Sequence, residues 1–155
     1  MRKMLLAAIV ISLGLIACGG GEETKKESPS STAKPQSMIK KGVDPMTDKG
    51  IGPITSVTLA PEINQEMAAR GKEVYDKMCT ACHKPTERFI GPAPKGILER
   101  RTPEWIMNMI LNPDQMVKED PIAKQLLIEY NGSPMANQNL TEEQAREVLE
   151  YFRTL

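Results

Sequence analysis

Histidine occurs only once in this chain, cysteine three times, and the aromatic stock is one Trp, three Tyr and two Phe. A single His leaves no room for a two-histidine metal or catalytic centre within the chain. Formal net charge is zero, which argues against a nucleic-acid partner recruited by bulk electrostatics. No apolar run reaches the roughly 18–20 residues that a mature membrane-spanning helix requires. So few aromatics make a thin core for a domain of about ninety residues, and small domains are marginally stable to begin with. The composition therefore favours a large apolar cofactor as part of the core.

The longest apolar stretch, Met4 to Ala17, follows the basic start Met1-Arg2-Lys3 and is interrupted only by Ser12 and Gly14. That is the layout of a secretory signal peptide occupying residues 1–17. It ends Leu15-Ile16-Ala17-Cys18 and is followed by three Gly residues, which resembles the lipobox of bacterial lipoproteins. The resemblance implies cleavage before Cys18 and lipid on its sulfur and new amino group, since two or more acyl chains give stable anchoring where one does not. The expected location is exported, as a bacterial membrane lipoprotein facing the periplasm or the cell exterior. Residues 18–61 then read as a tether and a partly ordered extension. Glu22 to Lys41 is Glu, Lys, Ser, Thr and Pro with almost no apolar content, and cannot offset its ordering entropy. Gly50-Ile51-Gly52-Pro53 is turn chemistry, while Ile54, Val57 and Leu59 form a short strip able to lie on the domain.

The folded domain is expected over residues 62–155 and reads as all-α. Glu62 to Met78 runs without Pro and spaces Ile63, Met67, Val74 and Met78 for one helix face. Thr102-Pro103-Glu104 supplies an N-cap, a first-turn Pro and an early acid, and the helix stops at Asn112-Pro113. Asp120-Pro121 opens another, ended by Asn131-Gly132. Thr141-Glu142-Glu143-Gln144 is a capping box opening the last helix.

Cys79-Thr80-Ala81-Cys82-His83 is the segment that carries chemistry. Two thiols separated by two residues meet the two vinyl groups of one porphyrin when they form a helical turn, and the adjacent imidazole then reaches the iron. A zinc site needs further ligands, and the chain has only Cys18 and no second His. A thioredoxin-like pair belongs to a βαβ pattern, which is absent here. One covalent haem c through Cys79 and Cys82, with His83 as the proximal metal ligand, is the remaining reading. No internal repeat is visible, so a multihaem array is excluded. Since His83 is the sole histidine, the sixth ligand is a Met, a weaker donor or nothing. Met135, in the loop Gly132-Ser133-Pro134-Met135, is the preferred donor among ten Met; Met116 and an open or water-bound site are the alternatives.

From Arg70 to Leu155 the chain resembles a class I cytochrome c domain, the small monohaem electron carriers. The resemblance rests on Gly71-Lys72-Glu73-Val74-Tyr75 ahead of the Cys-x-x-Cys-His turn, Gly91-Pro92, Met135 and the terminal Leu149-Glu150-Tyr151-Phe152. It implies a small helical fold packed around the haem, with Gly71 admitting Tyr151 and the Pro92 carbonyl accepting the His83 N–H. Met135 stands in the position of the sixth ligand, and Trp105 is counted among the cofactor-binding residues. The resemblance departs at Asn112 to Tyr130, an extra polar and charged segment. Arg101-Thr102-Pro103-Glu104-Trp105 is similar to a run in lipoprotein cytochromes found beside nitrous-oxide reductases, which implies a terminal reductase as partner.

The function expected is therefore single-electron transfer rather than enzyme catalysis, because a His/Met-ligated haem is coordinatively saturated. Expected partners are a membrane donor such as a quinol-oxidising complex and a terminal reductase or oxidase acceptor, met as a monomer. The cations Lys84, Arg88, Lys95, Arg100 and Arg101, with Glu87 and Glu99 among them, form either a docking rim or an ordinary solvated surface. The competing function is a haem enzyme or gas sensor with an open sixth position, and a structural lipoprotein with an unfilled motif is the third reading.

Overall fold

The computed structural model describes residues 43–155. The signal-peptide stretch 1–17, Cys18 and the tether to residue 41 lie outside the described residues. Helices account for all the regular structure among those described, in keeping with the all-α expectation.

Helix α1 spans Gln65–Met78, three residues later than its apolar spacing suggests. Asn64 is its N-cap, accepting the Met67 N–H, so Ile63 lies outside the helix. A single 3₁₀ turn covers Ile97–Glu99. Three short helices follow in succession, α2 (Pro103–Leu111), α3 (Pro113–Glu119) and α4 (Pro121–Glu129). Each begins on a proline, whose fixed φ suits the first helical position and whose missing N–H ends the preceding helix. Thr102 and Asp120 cap α2 and α4 through their side chains. Helix α3 is not foreseen in the sequence, because its seven residues have little apolar spacing. The tertiary fold holds it through Pro113 and Met116, both buried. Helix α5 spans Glu142–Phe152 behind the expected capping box of Thr141 and Gln144.

Helices α1 and α5 cross closely at Gly71. A Cβ there would stand 2.8 Å from the Val148 backbone nitrogen and nearer still to the Glu147 carbonyl. This corrects the expectation that Gly71 admits Tyr151: the backbone of α5 fills that space. Tyr151 instead packs one turn further along, against Tyr75 at 5.3 Å between ring centroids, with Phe152 edge-on to Tyr75 at 5.8 Å.

Residues 43–64 lie along the domain, tied by side chains rather than by a strand ladder. Buried Asn108 accepts the Ile54 N–H at 2.9 Å and donates to the carbonyls of Ile54 and Lys49. The Met116 sulfur accepts the Ile51 N–H at 3.0 Å, and Glu104 accepts that of Val57 while pairing with Lys49. Ile54 sinks into the core, a burial that contributes about 1.5–3 kcal/mol. Further along, Glu150 accepts the Asn64 N–H, and Arg153 donates to the Ala60 carbonyl. Glu150 is itself buried between Arg146 and Arg153. Burial alone would raise its carboxyl, but the Asn64 N–H and the two guanidinium groups hold it below the ordinary carboxylate value.

Candidate haem site

The end of α1 builds one wall of the site. Cys79 closes the helix with its N–H on the Tyr75 carbonyl, and the chain continues through one more turn. Both Cys82 and His83 donate their backbone N–H to the Cys79 carbonyl, at 3.1 and 2.9 Å. That turn carries the two thiols and the imidazole into a single cleft. Tyr75 secures it from below, its hydroxyl donating to the His83 carbonyl at 3.0 Å. No sequence pattern signals this contact, which depends on the turn folding back over α1.

The His83 ring is fixed by the segment that follows. Nδ1 lies 2.8 Å from the Pro92 carbonyl, the contact the sequence resemblance implied. A carbonyl can only accept, so Nδ1 carries the proton and Nε2 keeps its lone pair for a metal. Gly91 makes the approach possible: a Cβ there would lie 2.8 Å from Nδ1 and closer to Cε1. The Gly91 N–H in turn bonds the Cys82 carbonyl at 2.8 Å, closing the loop on itself.

The same cleft is also lined by Trp105 and Met109 of α2, Leu126 and Leu127 of α4, and Pro134 and Met135 of the loop after α4. The atom-free space between the walls, including its open mouth, is about 1400 Å³. Met135 is half-buried on the cleft wall. Met116, the other candidate donor, is fully buried elsewhere, its sulfur against Gly50 and the Ile51 N–H. The two sulfurs thus differ in a way their sequence positions do not reveal.

Polar groups are few along the cleft. Arg101 lines it, with its guanidinium 5.2 Å from the centroid of the Trp105 ring and its buried Nε lacking a protein partner. Burial and neighbouring Arg100 lower the Arg101 guanidinium from its usual range, with Asp120 and Asp48 opposing. The expected basic rim is less free than its composition suggests. Arg88 donates to the Glu129 carbonyl and stacks 4.0 Å from the Tyr130 ring centroid, while Arg100 donates to the carbonyls of Lys95 and Ala93. Lys84 lies over Phe89.

A haem fits this donor set: an apolar slot, two thiols on one turn, an imidazole with a free nitrogen, and an orphaned cationic N–H where an acidic substituent could be received. A dithiol redox pair fits poorly. Burial, and secondarily Cys82, push the Cys79 thiol up to about 11, whereas reactive Cys-x-x-Cys thiols are held low. Among the described residues no three His, Cys, Asp or Glu side chains converge as a metal site of their own. Fold and site together define a small all-α protein built to carry covalent haem c.

The comparisons give the same answer. The family model for cytochrome c matches residues 68–155, and the chain belongs to the cytochrome c family. Among solved structures it is similar to a cytochrome c from Rhodothermus marinus, with 46% identity and a TM-score of 0.64, covering 66% of this chain and 88% of that one. An engineered form of that protein, Rma TDE, is 45% identical with the same TM-score, covering 66% and 89%. The engineered protein bound to a carbene intermediate is 46% identical with a TM-score of 0.61. No curated protein matches. Haem c joined through Cys residues is the cofactor of this family, and Cys79 and Cys82 stand at the required spacing.

Proposed function

We propose that this protein is a membrane-anchored monohaem cytochrome that passes single electrons between redox proteins of a respiratory chain, with His83 and Met135 as the two axial ligands. The family makes it an electron-transfer haem protein in the coarse sense. The observation that carries the finer reading is the placement of the two axial candidates. His83 and Met135 line the same cleft, whereas Met116 has its sulfur committed to the Ile51 N–H within the core.

When bound, the haem supplies a reversible one-electron couple. The chain does the rest. Cys79 and Cys82 hold the group at its edge, and the Pro92 carbonyl aims the His83 ring. Met135, on the wall of the same cleft, would offer its thioether to the iron, which would close that position to water and small ligands and favour a higher potential than histidine would give. The apolar walls limit solvent access, and Arg101 offers its free N–H to an acidic haem substituent. Lipid on Cys18 would hold the domain near membrane donors, raising its local concentration there. A terminal reductase or oxidase is the proposed acceptor and a quinol-oxidising complex the proposed donor.

The deciding experiment compares Met135→Leu with Met116→Leu in the haem-loaded protein. Leucine keeps volume and removes sulfur, so both variants should fold. Met135→Leu is expected to abolish the sulfur-to-iron charge-transfer band of the oxidised form and to admit carbon monoxide rapidly after reduction. Met116→Leu should keep the band. A band that survives in Met135→Leu overturns the ligand assignment, and rapid carbon monoxide binding by the native protein would favour an open-site haem enzyme or sensor. Loss of membrane association in Cys18→Ser checks the anchor.

A further inference from the structure

Helix α4 ends just before the loop that carries Met135, and its own turn satisfies all but one of its last carbonyls. The Leu126, Leu127, Ile128 and Tyr130 carbonyls accept the backbone N–H groups of Tyr130, Gly132, Asn131 and Ser133, at 2.8 to 3.1 Å. Asn131 and Gly132, both at positive φ, reverse the chain to make that pattern. The Glu129 carbonyl falls outside it. Its partner is the Arg88 guanidinium, 2.6 Å away and 41 residues earlier in the chain.

Arg88 comes from the loop that follows His83. That loop is itself fixed: the Cys82 carbonyl accepts the Gly91 N–H at 2.8 Å, and the Pro85 carbonyl accepts the Lys95 N–H at 3.0 Å. From this base the guanidinium lies 4.0 Å from the Tyr130 ring centroid while donating to Glu129. Three effects act together there. A helix C-terminus is a negative pole that favours a cation, the bond is charge-assisted, and the ring face attracts the guanidinium. The Glu129 carboxylate, half-exposed and 3.4 Å away, adds little. Tyr130 itself lines the haem cleft, as do Ser133, Pro134 and Met135 beyond it.

We propose that Arg88 is a positioning residue for the sixth ligand: by capping α4 it fixes the base of the loop that presents Met135 to the iron. The proposal rests on the assignment of Met135 as that ligand. Arg88 lies five residues after His83 and Glu129 six residues before Met135, so one side chain joins the segments carrying the two axial candidates. Downstream of Met135 the loop is tied again, the Asn137 amide donating to the Leu111 carbonyl at 3.3 Å. Without Arg88 the upstream end is held by the turn alone. The loop then leaves the cleft wall more often, and the sulfur leaves with it. Arg88 does not line the cleft and acts only through the Glu129 carbonyl and the Tyr130 ring.

The test uses the haem-loaded full chain as native protein, Arg88→Leu and Arg70→Leu. Leucine keeps an apolar stem, removes every donor and brings no new sulfur near the iron. Arg70, which pairs with Glu147 where α1 meets α5, matches Arg88 in exposure (53% against 52%) and is the remote comparison. Imidazole is added to the ferric protein, where it binds only as the sixth ligand leaves, and its entry is followed as loss of the sulfur-to-iron band. Arg88→Leu should speed entry about 5–10-fold, the effect of losing one charge-assisted hydrogen bond at a half-exposed site. Amide exchange at Gly132 and Ser133 should quicken in the same variant, while amides in the middle of α5 keep their native rate. Arg70→Leu should leave imidazole entry and exchange in the turn at native rates, whatever it does to thermal stability. A native rate of entry in Arg88→Leu overturns the proposal alone. An equal acceleration in Arg70→Leu also overturns it, by making the effect one of general stability. If the native protein lacks the sulfur-to-iron band, the ligand assignment itself has failed and the proposal falls with it.

Discussion

Replacing Gly71 with alanine probes the closest contact in the fold. The added methyl would stand 2.8 Å from the Val148 nitrogen, where ordinary contact begins near 3.4 Å, and the Glu147 carbonyl is nearer still. Both obstacles are helix backbone, so no side-chain rotation relieves them; α1 and α5 must move apart by more than the missing 0.6 Å (3.4 less 2.8). Overpacking of this kind typically costs about 1–3 kcal/mol. Here the separation also loosens the contacts of Tyr75 with Tyr151 and Phe152, worth about 0.5–1.5 kcal/mol each beyond their burial. Against this, alanine gains roughly 1 kcal/mol of helix propensity over glycine. The net expectation is a loss of about 2–3 kcal/mol, or a fall of roughly 10–20 °C in Tm for a domain of this size. Guanidinium titration of the oxidised haem protein, followed by far-ultraviolet circular dichroism and by haem absorbance, measures it. A variant as stable as the native protein, or more so, would refute the claim that the α1–α5 crossing is set at Gly71.

Four further outcomes follow from the geometry. Gly91→Ala pushes a methyl into the His83 ring and should disturb the Pro92 contact, seen as a lowered midpoint potential and altered imidazole resonances in the paramagnetic NMR spectrum. Glu150→Ala leaves the Asn64 N–H and two arginines without their acceptor and should cost about 2–3 kcal/mol in denaturant titration, the arginines being near enough to solvent to relax. Because the folded-state value of Glu150 is depressed, its contribution is present above the unfolded value of about 4.5 and is lost as pH falls through the lower folded value. Acid unfolding should therefore begin at higher pH in native protein than in a Glu150→Gln background corrected for its starting stability. Asn108→Ala removes three hydrogen bonds to the crossing segment and should cost about 3 kcal/mol, with amide exchange accelerated at Ile54 before it rises in α5.

Helix starts were legible wherever a cap and a proline or acid coincided, at Thr102-Pro103, Asp120-Pro121 and Thr141 to Gln144. Such signals work because a cap satisfies backbone N–H groups within three residues, without help from the rest of the chain. Helix α3 carries no such signal, for the opposite reason: its stability comes from the burial of Met116 and Pro113 in the tertiary fold. Apolar spacing misplaces the start of α1, because it continues through Ile63 past the true cap at Asn64.

The sequence by itself determined the haem turn, since Cys79, Cys82 and His83 act through spacing along a few adjacent residues, and it determined that no second histidine could join them. It also carried enough of the family's pattern, in Gly91-Pro92 and the terminal aromatics, to indicate the class of protein. Only the tertiary structure separated Met135 from Met116, because one chain position folds onto the cleft wall and the other is buried beneath the crossing segment. Only the tertiary structure brought Arg70 to Glu147, which are distant along the chain and share no local pattern. Local contacts are written in the order of residues; burial and the meeting of distant charges depend on how the whole chain excludes water.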